Sequence, residues 1–124
     1  MPEEKFSGLA ILIAEDEYYV ATELARELAR AGATVIGPAP SVDKALDLNG
    51  SHARIDAALL DVNLGGEIVF SVADLLRERH VPFLFATGYD RSMIPPRFDD
   101  VVRCEKPVGA DKLGAALANV LSGK

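Results

Sequence analysis

Cysteine is nearly absent from this chain. Cys104 is the single one in 124 residues, which excludes an internal disulfide and any metal site built from several thiolates. Also missing is an apolar run near the roughly 18 residues that a membrane-spanning helix needs. The opening MPEEKFSG lacks the basic-then-apolar order of a secretory signal. Basic residues are the minority: thirteen Lys and Arg stand against nineteen Asp and Glu, for a net charge of −6. A general nucleic-acid binder needs a basic surface to meet phosphate, so that class is set aside, as is a membrane partner. There are no internal repeats and no low-complexity tracts. What is present is a soluble globular balance, 49% apolar and 26% charged. The length suits one domain with one core. The expectation is a single domain over residues 1–124, with its core at about 8–121, in the cytoplasm.

The apolar residues alternate between two patterns. LAILIA (9–14), AALLDV (57–62) and PFLFAT (82–87) are short apolar runs of the kind buried on both faces of a sheet. TVIG (34–37), closed by a turn-like GPAP, and VVRCEK (101–106) complete five expected strands. Between them lie helical spacings. Val20, Leu24, Leu28 and Ala31 stop at Gly32, and Ser41 is placed to cap a helix through Ala45, Leu46 and Leu48 that NGS breaks. Val69, Val72, Ala73 and Leu76 mark a third helix, and Leu113, Leu117, Val120 and Leu121 a closing one. Pro95 and Pro96 interrupt the stretch 88–100, where a short helix or a mobile loop is expected. Strand and helix alternate throughout, which argues for an α/β fold: a parallel sheet covered by helices on both faces.

In such a sheet, ligands bind at the carboxyl ends of the strands. Those ends read Glu15 and Asp16, then Asp61, Thr87 and Lys106; only the second strand ends without a reactive group. Singly, a carboxylate there is an ordinary helix cap or loop starter. Gathered in one cleft, the three repel: two unit charges ~4 Å apart cost about 4 kcal/mol at an effective dielectric near 20. One lysine cannot neutralise three carboxylates. The pattern asks for a divalent cation, and Mg²⁺ suits one or two carboxylates, a main-chain carbonyl, waters and a phosphate oxygen.

ILIAEDE with its acidic pair, LLDVNL, FATGY and EKPV, in this order and spacing, resemble a response-regulator receiver domain over essentially the whole chain. The PFLFATGY stretch further resembles the FATGUY subgroup, whose members are mostly stand-alone receivers. The resemblance implies a doubly wound, flavodoxin-like sheet of strand order 2-1-3-4-5. It implies that Asp61 accepts a phosphoryl group from a phosphohistidine on a sensor histidine kinase or histidine phosphotransfer protein. It further implies Mg²⁺ held by Asp16, Asp61 and the Asn63 carbonyl, with Glu15 acting through water. Lys106 and Thr87 would contact phosphoryl oxygens, and Thr87 would draw the following segment with it to change binding to a downstream protein.

Two departures bear on that reading. The aromatic switch three residues before the lysine is replaced by Arg103, and Tyr89 is the candidate substitute. NLGGE replaces the usual proline-containing loop after Asp61, and Gly65 and Gly66 are expected to loosen it. Val108 replaces a common phenylalanine, a matter of packing. His52 and His80 fall away from the acidic group, and Cys104 is expected to pack on the fifth strand. Other functions fit less well. A flavin carrier would need a phosphate-binding loop where the acidic AEDEYY stands. An aspartyl-nucleophile phosphohydrolase of small molecules would carry an acid–base carboxylate at position 63 and a capping insertion. A non-phosphorylated binding module would not need the full set of site residues.

Overall fold

The computed structural model describes residues 6–88, 92–106 and 108–122. In chain order the elements are β1 (Ala10–Ala14), α1 (Tyr18–Arg30), β2 (Thr34–Ala39), α2 (Val42–Ser51) and β3 (Ala57–Asp61). There follow β4 (Asn63–Leu64), β5 (Glu67–Ile68), α3 (Phe70–Glu78), β6 (Phe83–Thr87), β7 (Arg103–Glu105) and α4 (Ala110–Leu121). Five strands form one parallel sheet in the order β2-β1-β3-β6-β7. With β6 and β7 as the fourth and fifth expected strands, this is the order 2-1-3-4-5.

The unbroken apolar runs follow from burial on both sheet faces. Successive strand residues point to opposite sides, so Ile11, Ile13, Ala57, Leu59 and Leu84 meet Leu24 and Leu28 of α1 and Leu113 and Leu117 of α4. Leu12, Ala58, Leu60, Phe83 and Phe85 pack instead on the side of Ala45 in α2 and Val72, Ala73 and Leu76 in α3. Cys104 is half-buried on β7, and burial pushes its thiol pKa up, away from the reactive thiolate. No helix among the described residues is long and apolar enough to cross a membrane.

Three local structures differ from the sequence reading. First, β2 does not stop at Gly37. It bulges there and resumes, so that Leu12 pairs with Ile36 but Ala14 with Ala39, and the Glu15 amide donates to Ala39 O at 3.0 Å. Gly37 sits at φ +103°, and a Cβ added to it would lie 2.9 Å from the Ile13 carbonyl oxygen and 2.8 Å from the Ala39 nitrogen. Gly37→Ala is therefore expected to cost about 2–4 kcal/mol, combining left-handed strain with a backbone clash. A lowered urea midpoint at unchanged slope checks it.

Second, NGS lies inside the last turn of α2. Ser41 caps the start, its Oγ accepting from the Lys44 amide at 3.1 Å. At the other end Arg79 donates to the carbonyls of Asn49, His52 and Ala53 and to the buried Asn49 side chain, all at 3.0 Å or less. These tertiary bonds satisfy carbonyls that a glycine-containing helix end leaves open. Third, the glycine pair after Asp61 does not form an open loop. It closes a two-residue hairpin in which Asn63 pairs with Ile68 and Leu64 with Glu67.

Of the short helix or mobile loop expected between β6 and β7, the described residues form the short helix, a 3₁₀ turn at Pro96–Phe98 that is firmly seated. Phe98 is fully buried against Phe70, Phe83 and Phe85, with ring centroids 5.5, 6.2 and 5.4 Å away. The Arg77 guanidinium lies 5.3 Å from the Phe98 centroid and also binds Arg97 O and Asp100. Arg97 stacks 4.6 Å from the same ring and is held bidentately by Asp74 of α3.

Candidate functional site

β1 and β3 are neighbours, so the residues leaving their carboxyl ends meet. Glu15 and Asp16 follow β1, Asp61 closes β3, and one carboxylate oxygen of each lies within 4.8 Å of the others. Glu15 and Asp61 are buried and Asp16 is exposed. The register continues the row: Asp61 stands opposite Ala86 and Thr87 opposite Glu105, one residue before Lys106. The Lys106 amide donates to Thr87 O at 2.6 Å. Its ammonium reaches Asp61 Oδ2 at 2.8 Å and Glu15 Oε2 at 3.5 Å.

The charges are not balanced. Burial, opposed by the Lys106 hydrogen bond and reinforced by Glu15 and Asp16, raises the Asp61 pKa to about 7. Burial would pull the Lys106 ammonium down, but its hydrogen bond to Asp61 and the charges of Asp61 and Glu15 carry it up. Three carboxylates facing one ammonium form a hard-oxygen donor set with negative charge to spare, which fits a divalent cation such as Mg²⁺.

Asn63 stands beside this group. Val69 N donates to Val62 O at 2.9 Å, so the next pair along the ladder, Asn63 with Ile68, is the one that does not exchange hydrogen bonds. The Asn63 carbonyl is thereby turned away from β5. The Asn63 side chain accepts from Gly66 N at 3.0 Å, and Gly65 N donates to Asp16 Oδ2 at 3.1 Å. These two contacts escaped the sequence reading. Their signal was present: a Gly-Gly pair between apolar residues is a hairpin turn as readily as a flexible loop.

Other residues singled out from the sequence fall elsewhere. Arg103 pairs with Asp99 at 3.5 Å and reaches Phe98 O at 3.4 Å, so its guanidinium serves the 3₁₀ turn. His52 and His80 follow the C-terminal ends of α2 and α3. Tyr89 lies outside the described residues. A cavity of about 520 Å³ opens beside the acidic group, with Glu15, Gly88 and Lys106 in its wall.

No protein-family model matches the sequence, and no curated protein matches it significantly. Solved structures do. SdrG from Sphingomonas melonis Fr1 is 40% identical, over 91% of this chain and 96% of that one, with a TM-score of 0.76. A response regulator receiver protein from Sinorhizobium medicae WSM419 is 26% identical, over 92% and 94%, also at 0.76. The chain belongs to the response-regulator receiver family. A further structure, the BeF₃-activated conformation of SdrG from Pseudomonas melonis Fr1, is 37% identical to this receiver, over 98% and 99%, at 0.72.

Proposed function

We propose that this receiver takes a phosphoryl group on Asp61 from a phosphohistidine, in a Mg²⁺-dependent reaction, and signals by the change that follows. The observation that carries the reading is the Lys106 ammonium at 2.8 Å from Asp61 Oδ2, inside a group of three carboxylates. Asp61 supplies an oxygen nucleophile that needs no general base once ionised. Its oxygen bonds to phosphorus as the P–N bond breaks, and that electron pair stays on the departing imidazole. Phosphoryl transfer of this kind depends on positioning and charge neutralisation. Asp16, Asp61 and the Asn63 carbonyl would hold Mg²⁺, with Glu15 acting through water. Bound there, the cation neutralises charge on the phosphoryl oxygens. Lys106 pairs with one phosphoryl oxygen and Thr87 hydrogen-bonds another. The cavity beside Glu15 and Lys106 leaves room for the donor's side chain.

The phosphoryl group adds about −1.5 to −2 charge and three acceptor oxygens, enough to shift the position of Thr87 and the segment after it. The BeF₃-activated conformation of SdrG supports this reading, because BeF₃ is a phosphoryl analogue. Membership of the FATGUY subgroup rests on PFLFATGY and on Arg103 in place of an aromatic residue. In the cytoplasm, the receiver would be phosphorylated by a sensor histidine kinase or histidine phosphotransfer protein. It would then bind a downstream protein, pass its phosphoryl group on, or drain phosphate from its donor.

Phosphoramidate carries the P–N bond of phosphohistidine and tests the chemistry without the partner. Wild type in Mg²⁺ is expected to gain about 80 Da by intact-protein mass spectrometry, a phosphoryl group for a proton. Asp61→Asn and EDTA-treated wild type are expected to gain nothing. Modification of the Asn variant would remove Asp61 from its assigned role.

A further inference from the structure

The hairpin between β3 and α3 is rooted on every side. Leu64 is fully buried, Val69 N is bonded to Val62 O, and the Asn63 side chain holds Gly66 N. Its two turn residues have φ of +61° at Gly65 and +90° at Gly66, a type I′ turn open to few residues besides Gly, Asn and Asp. The tip is seated against the end of β2, since a Cβ on Gly65 would meet Pro40 O at 3.3 Å. This conformation aims Gly65 N at Asp16 Oδ2, 3.1 Å away. Asp16 is exposed, and among the described residues no other hydrogen bond reaches its carboxylate. Hydrogen bonds to a ligating carboxylate fix its orientation and commonly matter to metal affinity by about 10–100-fold.

We propose that the Asn63–Ile68 hairpin is a positioning strut: through the Gly65 amide it fixes one oxygen of Asp16, presents the other to the divalent cation, and so sets Mg²⁺ affinity without touching the ion. The inference rests on the proposed cation site. Asn63 has two parts in it, a main-chain carbonyl turned away from β5 that is proposed as a ligand, and a side chain that braces the turn. Mg²⁺ demands near-ideal octahedral geometry whereas Ca²⁺ accepts a looser shell. A misaimed Asp16 therefore harms Mg²⁺ binding more than Ca²⁺ binding.

The test is calorimetric titration of the full chain with MgCl₂ and with CaCl₂. Position 66 suits it because a Cβ there meets nothing within 4 Å. Gly66→Val, whose branched side chain resists positive φ, is expected to weaken Mg²⁺ about tenfold and Ca²⁺ by less than about threefold. Gly66→Asn, which tolerates that conformation, is expected to stay within about twofold of wild type for both. Should the Val variant not fold, Asn63→Ala removes the brace, keeps the carbonyl, and is expected to show the same Mg²⁺-selective loss. Wild-type Mg²⁺ affinity in the braceless variants, equal loss of both ions, or equal loss in Gly66→Asn would each overturn the strut. Asp16→Asn separates the two levels. If it binds Mg²⁺ as wild type does, the cation site itself is misassigned; if it loses Mg²⁺ while Gly66→Val does not, only the strut fails.

Discussion

Replacing Phe98 by alanine is expected to lower stability by about 3–5 kcal/mol, the range for emptying a fully buried aromatic site. The ring touches three others, and edge-to-face pairs such as those with Phe83 and Phe85 add to the area term. It is also the surface on which Arg77 and Arg97 stack, so its loss leaves Arg97 with its exposed Asp74 partner, and Arg77 with Asp100, the Arg97 carbonyl and the Phe83 ring. Exposed pairs of that kind contribute about 0–1 kcal/mol, and Arg97→Ala is correspondingly expected to be mild. Urea unfolding of the two variants makes the comparison directly. A Phe98→Ala cost below about 1 kcal/mol would mean that the turn is held by its arginines and not by its ring. Phe98 lies in the core on the α3 side and not among the residues around Asp61. The folded variant should therefore still take the phosphoryl group, separating the seat of the segment after Thr87 from the chemistry that is proposed to move it.

The same residue shows where sequence reading stops. The strands from Leu9, Ala57 and Pro82 were legible because burial on both faces leaves an uninterrupted apolar run, and the helices between them because their apolar residues recur at the helical spacing. Reading the polar residues at the strand ends also brought Glu15, Asp16, Asp61 and Lys106 to one place, since parallel topology fixes which ends are neighbours. What was not legible depends on contacts distant in sequence. Two prolines left a short helix and a mobile loop open at 88–100; what the sequence did not show is that the short helix sends Phe98 into the core, where Arg77 arrives from α3 to cover it. NGS signalled a helix end, yet Arg79, far along the chain at the end of α3, bonds the carbonyls there. At Gly37 a local turn signal was real but served a bulge that lets β2 continue. At Gly65 and Gly66 local freedom was read as mobility, when positive φ is also what a tight hairpin requires.

In Mg²⁺-free buffer at about pH 8, Asp61→Asn is expected to be more stable than wild type, although it removes the proposed acceptor. Burial lifts Asp61 from the ordinary 3.8 to about 7 in the folded chain. Between those values the folded protein holds a proton that the unfolded chain has released, so stability falls as pH rises from about 4 to about 7. Above about 7 both states are ionised and the full penalty stays. A tenfold difference in proton affinity between the two states corresponds to about 1.4 kcal/mol. Screening at the open rim beside exposed Asp16 brings the net expectation to about 1–3 kcal/mol. Asparagine has nearly the same shape and does not titrate, so the advantage of the variant should be present at about pH 8 and vanish near about pH 4. Thermal unfolding across that range reads the difference, and a variant less stable than wild type at the alkaline end would contradict it. Added Mg²⁺ should reverse the order. At the proposed site the cation would bind the folded wild type and lend it about 2.7 kcal/mol at a hundredfold excess over its dissociation constant, whereas the variant would lack one of its ligands. A carboxylate that weakens the free protein and stabilises the loaded one would be held ionised by the ion it binds, so under the proposed function the occupancy of the cation site and the readiness of Asp61 to attack phosphorus would rise and fall together.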